Sequence, residues 1–130
     1  MTTVDPSVHE LLDATRRLLQ SIARADWETY SSLCDPTLTC FEPESQGILV
    51  EGLDFHYFYF NLGAGSTPVT TTICSPHVRV LGDVGIVSYV RLVQRTDADG
   101  KPVTVRGAET RIWHRRDGQW RHVHFHRSAG

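Results

Sequence analysis

The sequence predicts an α+β domain, with helices first and a long antiparallel meander after them. Three observations carry this. Apolar residues recur at helical spacing between residues 8 and 22, and two further capped helical segments follow before residue 63. From Val69 onward the pattern changes to runs of β-branched and aromatic residues. The turns between those runs are too short for parallel crossovers, so the strands pair antiparallel and the helices gather on one face of a curved sheet.

Length and charge narrow the class further. The 130 residues suffice for one domain, spanning 1–130, with a single core. Thirteen Lys and Arg against fifteen Asp and Glu give a net charge of -2, which offers no electrostatic reason to bind nucleic acid or an anionic membrane. No apolar run reaches the length of a membrane span, and MTTVDPSVHE lacks the basic-then-apolar pattern of a leader. Cys34, Cys40 and Cys74 are an odd number without metal-type pairing, which points to reduced thiols and a cytoplasmic location.

The elements follow in order. Asp5 caps a first helix, Pro6 suits its first turn, and Val8, Leu11, Leu12, Leu18, Leu19 and Ile22 form its apolar stripe. Asp26 caps a short helix through DWETYSSLC, stopped by Asp35-Pro36. TLTCF and ILVEG read as extended pieces, and Asp54 caps a third helix, DFHYFYFNL, ended by Gly63, Gly65 and Pro68. The strands are VTTTICS, HVRVLGD, GIVSYVRLVQRT, PVTVRGAETRIWHRR and QWRHVHFHR. Ser75-Pro76, Gly82-Asp83, ADGK and Asp117-Gly118 separate them. The chain has no further helix for the second sheet face, so a second subunit is the expected cover.

Alternation sorts the strand residues by face. Val87, Tyr89, Arg91 and Val93 share one face, as do Glu109, Arg111 and Trp113. In RHVHFHRS, strict alternation places His122, His124 and His126 on one side and Val123, Phe125 and Arg127 on the other. Two readings of Arg91, Arg111 and Arg127 stay open: they snorkel or pair with acids such as Glu109, or they line a pocket for a small carboxylate. The histidines also have two readings. Side chains at i and i+2 lie about 6.5–7 Å apart and can share a metal ion, but no second ligand cluster is evident. Structural or interface histidines, with no metal and no cofactor, are the expectation. HRRD at 114–117 and DFH at 54–56 imitate kinase motifs without a Gly-rich loop or strand lysine around them, so the chain is not itself a kinase.

Two long strings carry a family resemblance. CDPTLTCFEPESQGILVEGLDFHYFYF and ETRIWHRRDGQWRHVHFHRS closely resemble the association, or hub, domain of calcium/calmodulin-dependent protein kinase II, and the similarity extends through the first helix and SYVRLVQ. The resemblance implies a conical nuclear-transport-factor-2-like fold with a strongly bent antiparallel sheet. It further implies self-assembly into stacked double rings of roughly a dozen or more subunits. The kinase, regulatory and calmodulin-binding segments of that family are absent, and the Met1-Thr2-Thr3 start favours a stand-alone chain over a fragment. The family also has a deep cavity whose arginines bind small carboxylates. On this sequence the corresponding residues are Arg91 in SYVRL, Arg111 in ETRIW, Arg127 in HFHRS and His56 in DFHYFYF. The chain departs from the family after FYFNL, where a short GAGSTP replaces a longer loop with an aromatic residue.

Three functions from different classes compete. The first is a self-assembling oligomerisation hub with a ligand-responsive cavity. The second is a small cavity enzyme of isomerase, dehydratase or cyclase type, in which His56, Tyr89 and Glu109 supply acid–base chemistry. The third is an adaptor that joins the ring of a hub-containing kinase.

Overall fold

The computed structural model describes residues 5–129, so the Met1-Thr2-Thr3 start lies outside the described residues. Helix α1 (Pro6–Ala23) begins where the cap residue dictates: the Asp5 carboxylate accepts the Ser7 N–H at 2.9 Å, and Pro6 occupies the first turn. Leu11, Thr15, Leu18 and Leu19 make its buried face, and Thr15 is tolerated there because its hydroxyl donates to the Leu11 carbonyl at 2.8 Å. Asp26 caps α2 (Trp27–Leu33), accepting the Thr29 N–H at 3.1 Å and its hydroxyl at 2.7 Å. Strand β1 (Cys34–Phe41) follows directly and carries Asp35-Pro36 within it. A 3₁₀ turn (Pro43–Ser45), β2 (Val50–Glu51) and α3 (Asp54–Asn61) come next. The expected Asp54 cap is corrected: Leu53 is the N-cap and Asp54 is the first helical residue. Its carboxylate there complements the helix N-terminus as a charge.

The remaining strands are β3 (Thr70–Leu81), β4 (Val84–Thr96), β5 (Pro102–Arg116) and β6 (Gln119–Ala129). VTTTICS and HVRVLGD, expected as two strands, are one. An irregularity between Cys74 and His77, with Ser75 at φ 49°, absorbs Ser75-Pro76 as a bulge. A proline fits because β3 is an edge strand and its missing N–H costs no ladder bond.

All six strands form one sheet in the order β2-β1-β6-β5-β4-β3. The pairs from β3 through β6 are antiparallel, as the short turns require, whereas β1 runs parallel to β6. Helix α1 packs on β3 and β4. Its approach is close: a Cβ built at Gly85 of β4 would lie 2.5 Å from Leu11 Cδ1, so any side chain there would have to displace Leu11. Leu11, Leu18, Val87, Trp113 and Phe125 are buried between helix layer and sheet. On the opposite sheet face Ile86, Ile112 and His124 are cross-strand neighbours and remain only partly buried. No helix among the described residues is long and apolar enough to cross a membrane.

Candidate functional site

Register builds the site. Tyr89 of β4 pairs with Glu109 of β5, Glu109 with Arg127 of β6, and Arg111 with Phe125. Directly paired residues share a face, so alternation and register together bring Tyr89, Arg91, Glu109, Arg111, Phe125 and Arg127 to the concave side. Glu42 just past β1, Glu44 of the 3₁₀ turn and His56 of α3 join the lining. The open cavity so formed is about 340 Å³, lined by His56, Arg91, Glu109, Arg111 and Arg127 among others. Tyr89 is bonded to the wall from behind.

Glu109 is the electrostatic centre. Its carboxylate accepts the Tyr89 hydroxyl, Arg91 Nη1 at 3.0 Å and Arg111 Nη2 at 2.9 Å. Arg111 also donates through Nε to the Tyr89 oxygen at 2.9 Å, and its guanidinium lies 4.4 Å above the Phe125 ring. Burial alone would raise the Glu109 pKa, but Arg111 and then Arg91 overcome it and hold it down to about 2. Burial pushes the Tyr89 phenol up to about 12. Arg127 pairs with Glu44 and sits 3.6 Å from Glu42 Oε2. Arg91, Arg111 and Arg127 are each ion-paired to an acid, and each is among the residues around the cavity. Counting the lining groups, Arg91, Arg106, Arg111 and Arg127 stand against Glu42, Glu44 and Glu109, an excess of one positive charge. Arg91 Nε is buried without a hydrogen-bond partner.

The closing strand corrects strict alternation. The register slips between Ile112 and Trp113: His124 pairs with Ile112, but His122 pairs with Trp113. Val123 is the extra residue of a bulge, and the bulge turns His122 onto the concave face with Phe125, to which its ring stacks at 5.5 Å. His122 Nε2 lies 3.4 Å from Arg111 Nη1 and its Nδ1 3.5 Å from Cys34 Sγ. Burial first and the Arg111 charge second hold its pKa well below the ordinary histidine value. Only His124 and His126 share the outer face. There His124 Nδ1 meets the Thr39 hydroxyl at 2.7 Å, and His126 lies 5.8 Å from the Phe41 ring.

Sequence reasoning did not single out Glu42, Glu44 or Tyr30, and it read Cys40 only as a reduced thiol. For Glu42 the one local signal is its place directly before Pro43, as N-cap of the 3₁₀ turn that follows β1. What that signal lacks is the knowledge that His56 of α3 folds over Glu42 and Cys40. His56 Nε2 lies 3.1 Å from Glu42 Oε1 and 3.6 Å from Cys40 Sγ. Burial pushes the Cys40 thiol up to about 12.

Comparison with known proteins places these features in a lineage. Residues 7–130 match the family described as calcium/calmodulin dependent protein kinase II association domain. The calcium/calmodulin-dependent protein kinase type II subunit delta of Oryctolagus cuniculus is 49% identical over 123 residues, covering 92% of this chain and 23% of that protein. The chain thus spans about a quarter of the length of this relative. Among solved structures, the Chlamydamonas reinhardtii CamKII hub homology domain superposes with a TM-score of 0.90 at 48% identity, covering 95% of this chain and 98% of that one. The fold reaches further, to an NTF2-like protein from Cytophaga hutchinsonii with a TM-score of 0.78 at 18% identity, covering 98% of this chain and 100% of that one. The expected nuclear-transport-factor-2-like architecture, helices on one strongly bent sheet, is the one observed. With the family matched from the first helix to the last strand, this chain belongs to the calcium/calmodulin dependent protein kinase II association domain family.

Proposed function

We propose that the chain is a self-assembly module whose copies close into a stacked double ring of roughly a dozen or more subunits. The observation that carries this reading is the apolar surface that one copy leaves uncovered. Phe58 and Leu62 at α3 are 62% and 70% exposed, and Ile48 before β2 is 70% exposed. Contiguous apolar patches mark interaction surfaces, and Phe58 and Leu62 are neighbours one turn apart at α3. Membership of the association-domain family makes a second copy the natural occupant, and the partly buried outer sheet face adds to the area to be covered.

The cavity in each copy takes a small carboxylate in this reading, held by Arg91, Arg111 and Arg127 with His56 also in the lining. A volume of about 340 Å³, one surplus positive charge and the unpartnered Arg91 Nε all favour a small anion. Acid–base catalysis by Glu109 and Tyr89 is disfavoured, because neither group exchanges a proton near neutral pH with pKa values of about 2 and about 12. A hub-bearing kinase in the same cytoplasm is the proposed additional ring partner.

Native mass spectrometry of the untagged chain near physiological salt tests the assembly. A large, even-numbered complex is the expected result, and a monomer or simple dimer overturns it. Calorimetry with a panel of small carboxylates tests the cavity separately; a silent panel removes the ligand.

A further inference from the structure

We propose that Cys40, Glu42 and His56 form a binding site for a zinc-class divalent cation in the wall of the cavity. Their ligand atoms all lie within 4.8 Å of one another. Two of the three spacings, those made by His56 Nε2, match a tetrahedral ion. Bonds of about 2.3 Å to sulfur and about 2.0–2.1 Å to nitrogen and oxygen separate sulfur from nitrogen by about 3.5 Å and nitrogen from oxygen by about 3.3 Å. The observed separations are 3.6 Å for Cys40 Sγ to His56 Nε2 and 3.1 Å for His56 Nε2 to Glu42 Oε1.

Hydrogen bonding alone accounts for this cluster poorly. A carboxylate oxygen and a thiol sulfur converge on one ring nitrogen, which makes one good hydrogen bond, as donor to Glu42 or acceptor from Cys40, and not both. A cation among the three atoms engages all of them. Charge selects its valence: a thiolate and a carboxylate neutralise one divalent ion, which suits a site where Cys40 is fully buried and Glu42 and His56 nearly so. The mixed sulfur, nitrogen and oxygen donor set suits zinc over calcium or magnesium. Supporting contacts are present as well. Glu42 turns Oε1 toward His56 while its Oε2 lies 3.6 Å from Arg127, which orients the carboxylate. Phe55 and Phe125 flank the His56 ring with centroids at 5.5 Å each. Glu42 and His56 line the cavity, so water or a small anion there can complete the coordination shell. On binding, the Cys40 thiol gives up its proton to solvent and sulfur becomes a ligand. The site does not rest on ring formation, and it shares His56 with the proposed carboxylate cavity without needing that ligand.

Cobalt(II) is the probe, titrated into the reduced, untagged full chain. One equivalent per subunit is expected to give a thiolate-to-cobalt charge-transfer band with intense visible bands of tetrahedral type, both erased by excess zinc. Cys40→Ala is expected to abolish the charge-transfer band and weaken zinc binding, read by chelator competition, by more than about 100-fold, beyond the loss typical of a supporting contact. Cys74→Ser and the double variant His124→Asn/His126→Asn are expected to keep the spectrum, and Cys40→Ser repeats the subtraction if the alanine variant fails to fold. A weak octahedral spectrum from the native chain overturns the proposal. So does a charge-transfer band that survives in Cys40→Ala or that depends on His124 and His126. Assembly and carboxylate binding are read by other measurements, so failure here leaves them standing.

Discussion

Arg111 donates through Nη2 to Glu109 Oε1 at 2.9 Å, with the two side chains 1% and 0% exposed. Two residues apart on one strand, they face the same side, and neither charge is tolerable there without the other. Glu109→Ala strips Arg111 and Arg91 of their shared counter-charge. The expected loss is about 3–5 kcal/mol of stability, read by urea unfolding at neutral pH.

Acid should unfold the domain in two stages. Glu109 has its pKa lowered from 4.5 to about 2 in the folded state, so the unfolded chain binds the proton more readily. Its contribution is present above pH 4.5 and is lost as pH falls through about 2. His122 is depressed below 6.5, so stability is full above that pH and declines as acid protonates the unfolded chain first. Melting temperature followed from pH 7.5 downward should begin to fall near 6.5 and again below 4.5. His122→Gln should shrink the first decline, to which His124 also contributes, and leave the second.

Gly85→Ala should destabilise the domain although alanine is a mild substitution. The new methyl meets Leu11 at 2.5 Å, and Leu11 is fully buried with little room to retreat. A loss of about 1–3 kcal/mol is expected, visible in thermal unfolding.

At α3 the expected effect separates assembly from folding. Phe58 is mostly exposed in one copy, so Phe58→Glu should leave circular dichroism unchanged. If the α3 surface is an interface, native mass spectra of this variant should shift to smaller species. An unchanged assembly would remove Phe58 from the interface.

Arg127 is tethered by Glu44 at the more open side of the cavity. Glu44→Gln should leave the guanidinium only its longer pair with Glu42 at 3.6 Å and tighten a small carboxylate in calorimetry. Arg127→Gln should weaken it by about 10-fold or more, the worth of one charge-assisted hydrogen bond.

Local signals in the sequence accounted for most of the fold. The Asp5 and Asp26 caps, the Leu11-Leu18-Leu19 stripe and the alternation of Tyr89, Arg91, Glu109 and Arg111 all act within a few residues, and all appear as read. Failures occurred where one residue changes the phase. The Val123 bulge moved His122 to the other face, and the bulge near Ser75 kept a strand going past a proline. Neither shows in a period-two pattern, because each depends on the neighbouring strand. The Glu42 and His56 part of the cavity lining was hidden for a related reason. Glu42 and Cys40 meet His56 only through tertiary folding, and no local rule links residue 40 to residue 56.

The place of β6 has a consequence for biosynthesis. It lies between β5 and β1, so the strand latest in chain order joins the two parts of the sheet. While the ribosome is still making residues 119–129, β1 and β2 have no sheet to enter and the arginine wall lacks Arg127 and Phe125. The helical layer and the β3–β5 meander must wait with apolar surface uncovered, a state in which nascent chains recruit chaperones. Ribosome-bound chains halted before residue 119 should therefore be protease-sensitive throughout, and protection should arrive together when the final strand emerges.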